Sequence, residues 1–131
     1  MVEQHPNEKL IRHAYHLFAS GDIDLMHVVF ADNAVWHQPG RGPLAGDYKG
    51  PDEILGFLRQ LRDRSGGTFR TQVCDVLAET ERVVVLQQDT GSHNGRQLDV
   101  LAALDYEIHH GKVTEVTVYH QDLYGFDEFW S

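Results

Sequence analysis

The segment from Lys112 to Asp122 reads as a strand and ends in two groups that can move protons. Residues two apart in a strand point the same way. Val116, Val118, His120 and Asp122 therefore share one face, and Glu115, Thr117, Tyr119 and Gln121 share the other. The first set begins apolar and finishes with an imidazole and a carboxyl group, as a strand running along a greasy pocket would. Two residues span roughly 6.5 Å of strand, so both groups can serve one ligand. Burial raises a carboxyl pKa toward neutrality, where general acid–base chemistry works best. Asp122 is thus the candidate acid–base group, with His120 orienting it or sharing its proton. The competing reading is that Asp122 caps the next turn and His120 only packs.

Other residues are candidates for the walls of such a pocket. Trp36 and Gln38 share a face of an earlier strand and would shape the site. Val83, Val85, Gln87 and Asp89 share another face; if it looks inward, Asp89 can pair with His120 or with Arg41. Asp99 alternates against Leu98 and Val100 and should face outward, and Tyr119 suits an interface. Arg41 sits in a glycine-rich loop, from which it could reach a pocket mouth and fix an anionic group, or simply lie on the surface. Val118, Val85 and the helical Phe57 supply apolar lining. Nine histidines raise the question of metal, but no His-Glu-x-x-His or Cys-x-x-Cys spacing occurs, and His13 and His16 suit a solvated helix face. No metal or cofactor is expected. Cys74 has no activating partner nearby in sequence, and no nucleophile elbow or phosphate-cradling glycine loop is present.

The elements that must position these groups are legible as helices first and strands second, which suggests α+β. Asn7 to Ser20 carries Leu10, Ile11, Ala14, Leu17 and Phe18 at helical spacing, and Gly21 stops it. Asp22 or Asp24 can cap a short second helix. Ala34 to Gln38 is a short strand, and Gly40 to Gly50 is a loop. Pro51, Asp52 and Glu53 open a helix whose buried face holds Ile54, Leu55, Phe57, Leu58 and Leu61. Strands follow over Thr68 to Ala78, Arg82 to Thr90, Gln97 to His109 and Lys112 to Asp122. Short turns join them, including Asn94-Gly95, so an antiparallel meander is expected. Phe126, Phe129 and Trp130 should fold back as a lid or join an interface.

The totals bound the function. A length of 131 residues suits one domain, 1–131, with a real core. A net charge of −9 argues against nucleic acid and anionic membranes, since few Lys and Arg are available to replace counterions. The polar N-terminus and the short apolar runs point to a cytoplasmic protein with no membrane span. One cysteine precludes an intrachain disulfide.

Particular residues carry a family resemblance over nearly the whole chain. They are Ala19-Ser20-Gly21-Asp22, then Phe30 to Trp36, Pro39 to Gly46 with Tyr48-Lys49-Gly50, Asp105-Tyr106 to Val113, and the ending Asp122 to Trp130. In this order they resemble the SnoaL-like polyketide cyclase and ketosteroid isomerase group of the nuclear transport factor 2-like superfamily. The resemblance implies a curved antiparallel sheet forming a cone, helices closing its wide end, a pocket between them, and a homodimer through the outer sheet face. It implies a ketosteroid isomerase-like isomerase or polyketide cyclase-like lyase, without cofactor, acting by acid–base chemistry on a small apolar carbonyl compound. The alternative is a non-catalytic binder of a small hydrophobic ligand. Where the isomerases place their catalytic carboxylate, before the proline matched by Pro39, this chain has Gln38, which cannot act as a base. The isomerase tyrosine falls at Ala14, with Tyr15 beside it as a ligand contact, and the oxyanion-stabilising Asp falls near Leu104 or Asp105. These departures argue against steroid isomerisation itself.

Overall fold

The computed structural model describes residues 5–131; the polar stretch Met1–Gln4 lies outside the described residues. Helix α1 spans Pro6–Ala19. Proline at its first turn is pre-set for helical geometry, and His5 caps it by accepting the Asn7 N–H on Nδ1. Ile11, Ala14 and Leu17 form its buried stripe. Gly21, at φ +81°, ends the run in a conformation few other residues adopt. The expected second helix is a 3₁₀ turn over Ile23–Val29; Asp22 stands at its start without a side-chain capping bond.

Strand β1 (Phe30–Gln38) is longer than its sequence suggested, and part of the expected loop forms a short strand, β2 (Gly46–Lys49). Helix α2 (Gly50–Arg64) buries Ile54, Leu55, Phe57, Leu58 and Leu61, as its spacing requires. Strands β3 (Arg70–Ala78), β4 (Arg82–His93), β5 (Arg96–His109) and β6 (Lys112–His120) form the meander, and α3 (Leu123–Trp130) ends the chain.

The sheet runs β2-β1-β6-β5-β4-β3. It is mixed, because β1 pairs with β6 in parallel, which corrects the expectation of a wholly antiparallel sheet. Hairpins dictate the directions of β3 to β6, but no hairpin joins β1 to β6, so turn chemistry never constrained that pair. The sheet is not closed; β2 and β3 are its edges. Register shifts between Val73 and Asp75, and between Glu107 and Ile108, supply the irregularities at which strands bend.

Helix α1 packs on β3 and β4, α2 on β1 and β2, and α3 on β5 and β6. One hydrophobic cluster connects them, from Ile11 through Trp36 and Phe57 to Phe126, Phe129 and Trp130. The terminal aromatics therefore fold back onto the chain. Among the described residues no helix is long and apolar enough to cross a membrane.

Candidate functional site

Between the helices and the sheet lies a cavity of about 70 Å³. The sheet register explains its polar groups. Gln87 on β4 stands opposite Ala102 on β5, which stands opposite His120 on β6. Ala102 is the small member of this row. Asp89 lies two residues beyond Gln87 on the same inward face.

Asp89 is 2% exposed. Its Oδ1 accepts from Thr71 Oγ1 at 2.9 Å and from Gln87 Nε2 at 2.8 Å. Both bonds fall on one oxygen, which leaves Oδ2 to the cavity. Burial raises this carboxyl from 3.8 to about 6, against the two hydrogen bonds that favour its charged form. Behind it runs a hydroxyl relay. Tyr15 donates to Gln87 Oε1 at 2.5 Å and lies 2.7 Å from the Tyr106 hydroxyl. Tyr15 has one proton and spends it on Gln87, so Tyr106 is the donor to Tyr15. Burial raises both phenols above their ordinary range, so both stay protonated at neutral pH.

Across the cavity, His120 Nε2 is 2.9 Å from Gln38 Nε2, and its ring stacks on Phe126 with centroids 3.9 Å apart. Burial lowers this imidazole from 6.5 to about 4, so it is neutral at pH 7. The sign is opposite to that of Asp89. The unfolded chain takes up a proton below 6.5 while the folded chain refuses it until about 4, so His120 costs stability as pH falls through that window. His120→Gln is expected to remove this loss. Its stability relative to the wild type should improve by about 1–2 kcal/mol between pH 6.5 and 4 in urea titrations, allowing for the partial exposure of the ring.

Tyr15, Trp36, Gln38, Phe57, Asp89, Val118 and His120 all line the cavity. Three other expected positions do not. Val85 is buried outside the lining, packed into the core. Arg41 is exposed, and only its backbone N–H is engaged, donating to Asp127 Oδ2 at 2.8 Å. A side chain at Gly40 or Gly42 would run into Asp127, so the glycines fasten this loop to α3 instead of aiming Arg41 inward. Asp122 is also exposed and caps α3, its Oδ1 accepting the Gly125 N–H at 2.9 Å. Strand β6 ends at His120, and the alternation that would have turned Asp122 inward ends with it. Asp122→Ala should therefore cost about 1 kcal/mol of stability, as an N-cap does, with ligand binding unchanged in titrations.

Asp89 pairs with neither His120 nor Arg41 but with Thr71 and Gln87. Asp99 is exposed as expected, and Tyr119 is 59% exposed. Sequence reasoning missed Tyr106, although its alternation with Ala102 and Leu104 was a usable signal. Thr71 was missed too, although it alternates with Phe69 and Val73 against Arg70 and Gln72, a usable signal at the start of β3. Among the described residues no group of three or more His, Cys, Asp or Glu side chains is placed to hold a metal ion.

A curved sheet and helices enclosing a greasy hollow with a few buried polar groups define a pocket protein. The chain belongs to the SnoaL-like domain family, which matches residues 11–116. An uncharacterised protein of Mycobacterium tuberculosis is 27% identical over 123 residues, covering 93% of this chain and 94% of that one. The solved structure of Bal32a, from a soil-derived mobile gene cassette, is 35% identical with a TM-score of 0.92, covering 96% of this chain and 97% of that one. An NTF2-like protein of unknown function from Burkholderia pseudomallei has a TM-score of 0.87 at 20% identity over 98% and 99% of the two chains, which bears on the fold alone.

Proposed function

We propose that this pocket protein is an enzyme of the isomerase or cyclase type, moving a proton next to the carbonyl group of a small, neutral, mostly apolar compound. One observation carries the reading: Asp89, 2% exposed, has one carboxylate oxygen held by Thr71 and Gln87 and the other free toward an apolar hollow. A carboxyl group at about 6 is ionised at pH 7 and still basic enough to accept and return a proton. Asp89 takes the role that the sequence assigned to Asp122. Among the described residues the lining contains no Lys or Arg, so an anionic ligand would meet Asp89 without a counter-charge.

The test is exchange of α-protons in D₂O over a panel of small cyclic ketones, followed by proton NMR. Exchange above the buffer rate, rising with pH through about 6 and then level, is expected. Binding of the panel without exchange would favour the alternative of a non-catalytic binder of hydrophobic ligands, a reading that the largely apolar lining supports.

A homodimer through the outer sheet face belongs to the same proposal. Leu86, Leu101 and Tyr119 are 40%, 46% and 59% exposed on the adjacent strands β4, β5 and β6. Elution at the 14.9 kDa monomer mass at micromolar concentration would count against it.

A further inference from the structure

Among the described residues, two buried N–H groups on side chains that line the cavity have no acceptor. Trp36 is 6% exposed and lines the cavity, and its Nε1–H is buried with no partner among the described residues. The second is set by a neighbour. Gln38 meets His120 Nε2 through its amide nitrogen, at 2.9 Å. An amide nitrogen only donates, so Nε2 accepts and the neutral ring carries its proton on Nδ1. That Nδ1 is buried and also without a partner. Buried donors in folded proteins are nearly always satisfied, and a pair of unsatisfied ones in a cavity wall calls for a ligand that brings acceptors.

The two donors belong to one wall. Trp36 and Gln38 lie two residues apart on the same face of β1, and Gln38 holds the imidazole. Phe126 stacked on the ring at an interplanar angle of 21° keeps it from turning away.

We infer that Gln38 is a positioning residue: it holds His120 as the Nδ1–H tautomer, and this N–H with that of Trp36 selects a neutral ligand by its acceptor oxygen, a ketone or aldehyde in preference to a hydrocarbon. The inference rests on the small-carbonyl reading above and adds which groups read the oxygen. A carboxylate also brings acceptors, but it would face Asp89 in the same hollow.

Two measurements test it without any turnover. Nitrogen–proton correlation NMR of the histidine side chains, with His120 assigned by its absence in His120→Gln, reads the tautomer directly. Nδ1–H in the wild type, switching toward Nε2–H in Gln38→Glu, where the carboxylate can only accept, is the expected result. Nε2–H in the wild type overturns the inference. Titration with cyclohexanone and with methylenecyclohexane, its near-isostere without the oxygen, reads the selection. Cyclohexanone should bind about tenfold more tightly, the worth of one or two hydrogen bonds, and should move the Trp36 indole proton downfield. Trp36→Phe and Gln38→Glu should both shrink that preference. Cyclohexanone binding no better than the hydrocarbon, or not at all, overturns the inference. Failure of the Asp89 reading appears instead as absent proton exchange, so the two failures are distinguishable.

Discussion

Asp89→Asn is expected to lower ketone α-proton exchange by 10²- to 10⁴-fold at pH 7–8, the usual worth of a positioned general base. The amide keeps the shape and one acceptor for Thr71 or Gln87, so the loss would report the missing base and not a collapsed cavity. The same variant should be more stable than the wild type. Burial raises the Asp89 pKa from 3.8 to about 6, so the folded chain holds this proton more tightly than the unfolded chain between those values. The stability contributed by the protonated form is full below 3.8, declines as pH rises toward 6, and stays low above it. At about 1.4 kcal/mol per pH unit the charged group costs the fold about 3 kcal/mol at neutral pH. Asn escapes that cost, and the two hydrogen bonds are already counted in the value of about 6, so a net gain of about 3 kcal/mol is expected above pH 7, vanishing below pH 4. Urea denaturation of both proteins across pH 3.5–8 measures it. An Asp89→Asn variant that exchanges ketone protons at the wild-type rate would remove Asp89 from the chemistry.

Trp130→Ala should cause the largest loss of stability, about 3–5 kcal/mol. Trp130 is 2% exposed and packs against Phe69, Phe126, Phe129 and His93. It ties α3 to the sheet, and α3 carries Phe126, which both lines the cavity and stacks on His120. Truncation should therefore loosen the seal, let water reach Asp89 and His120, and return both pKa values toward 3.8 and 6.5. Its Nε1 has no hydrogen-bond partner among the described residues, so Trp130→Phe sacrifices only volume and should cost about 1–2 kcal/mol. Denaturant midpoints of the two variants separate these cases. Equal midpoints would mean that α3 is held elsewhere, for instance by Asp127 against the glycine loop.

Much of the architecture was legible because it is written locally. Helical spacing placed α1 and α2, and alternation with Asn94-Gly95 and His110-Gly111 placed the four meander strands. The face containing Trp36 and Gln38 and the face containing Val118 and His120 both turn inward, since alternation is a property of a strand and needs no partner to be read. The interval from Gly40 to Gly50 read as loop because β2 is short and glycine-flanked, and its order comes from pairing with β1.

Strand alternation by itself placed His120 and Trp36 on inward faces with the aliphatic core, and the terminal aromatics required that the chain's end be covered, by folding back or by an interface; the structure decided for folding back. Tertiary structure alone decided which carboxylate meets the cavity. Asp122 obeys the parity of β6 only while β6 continues. Two residues past its inward His120 the backbone turns, and the first turn of α3 claims the carboxylate for an N–H that would otherwise have no acceptor. Asp89 lies inside an unbroken strand, where the curvature of the sheet and the packing of α1 leave its charge no route to water. Such a charge becomes useful only because Thr71, on a neighbouring strand, and Gln87, two residues before it on the same face, hold one oxygen and leave the other free.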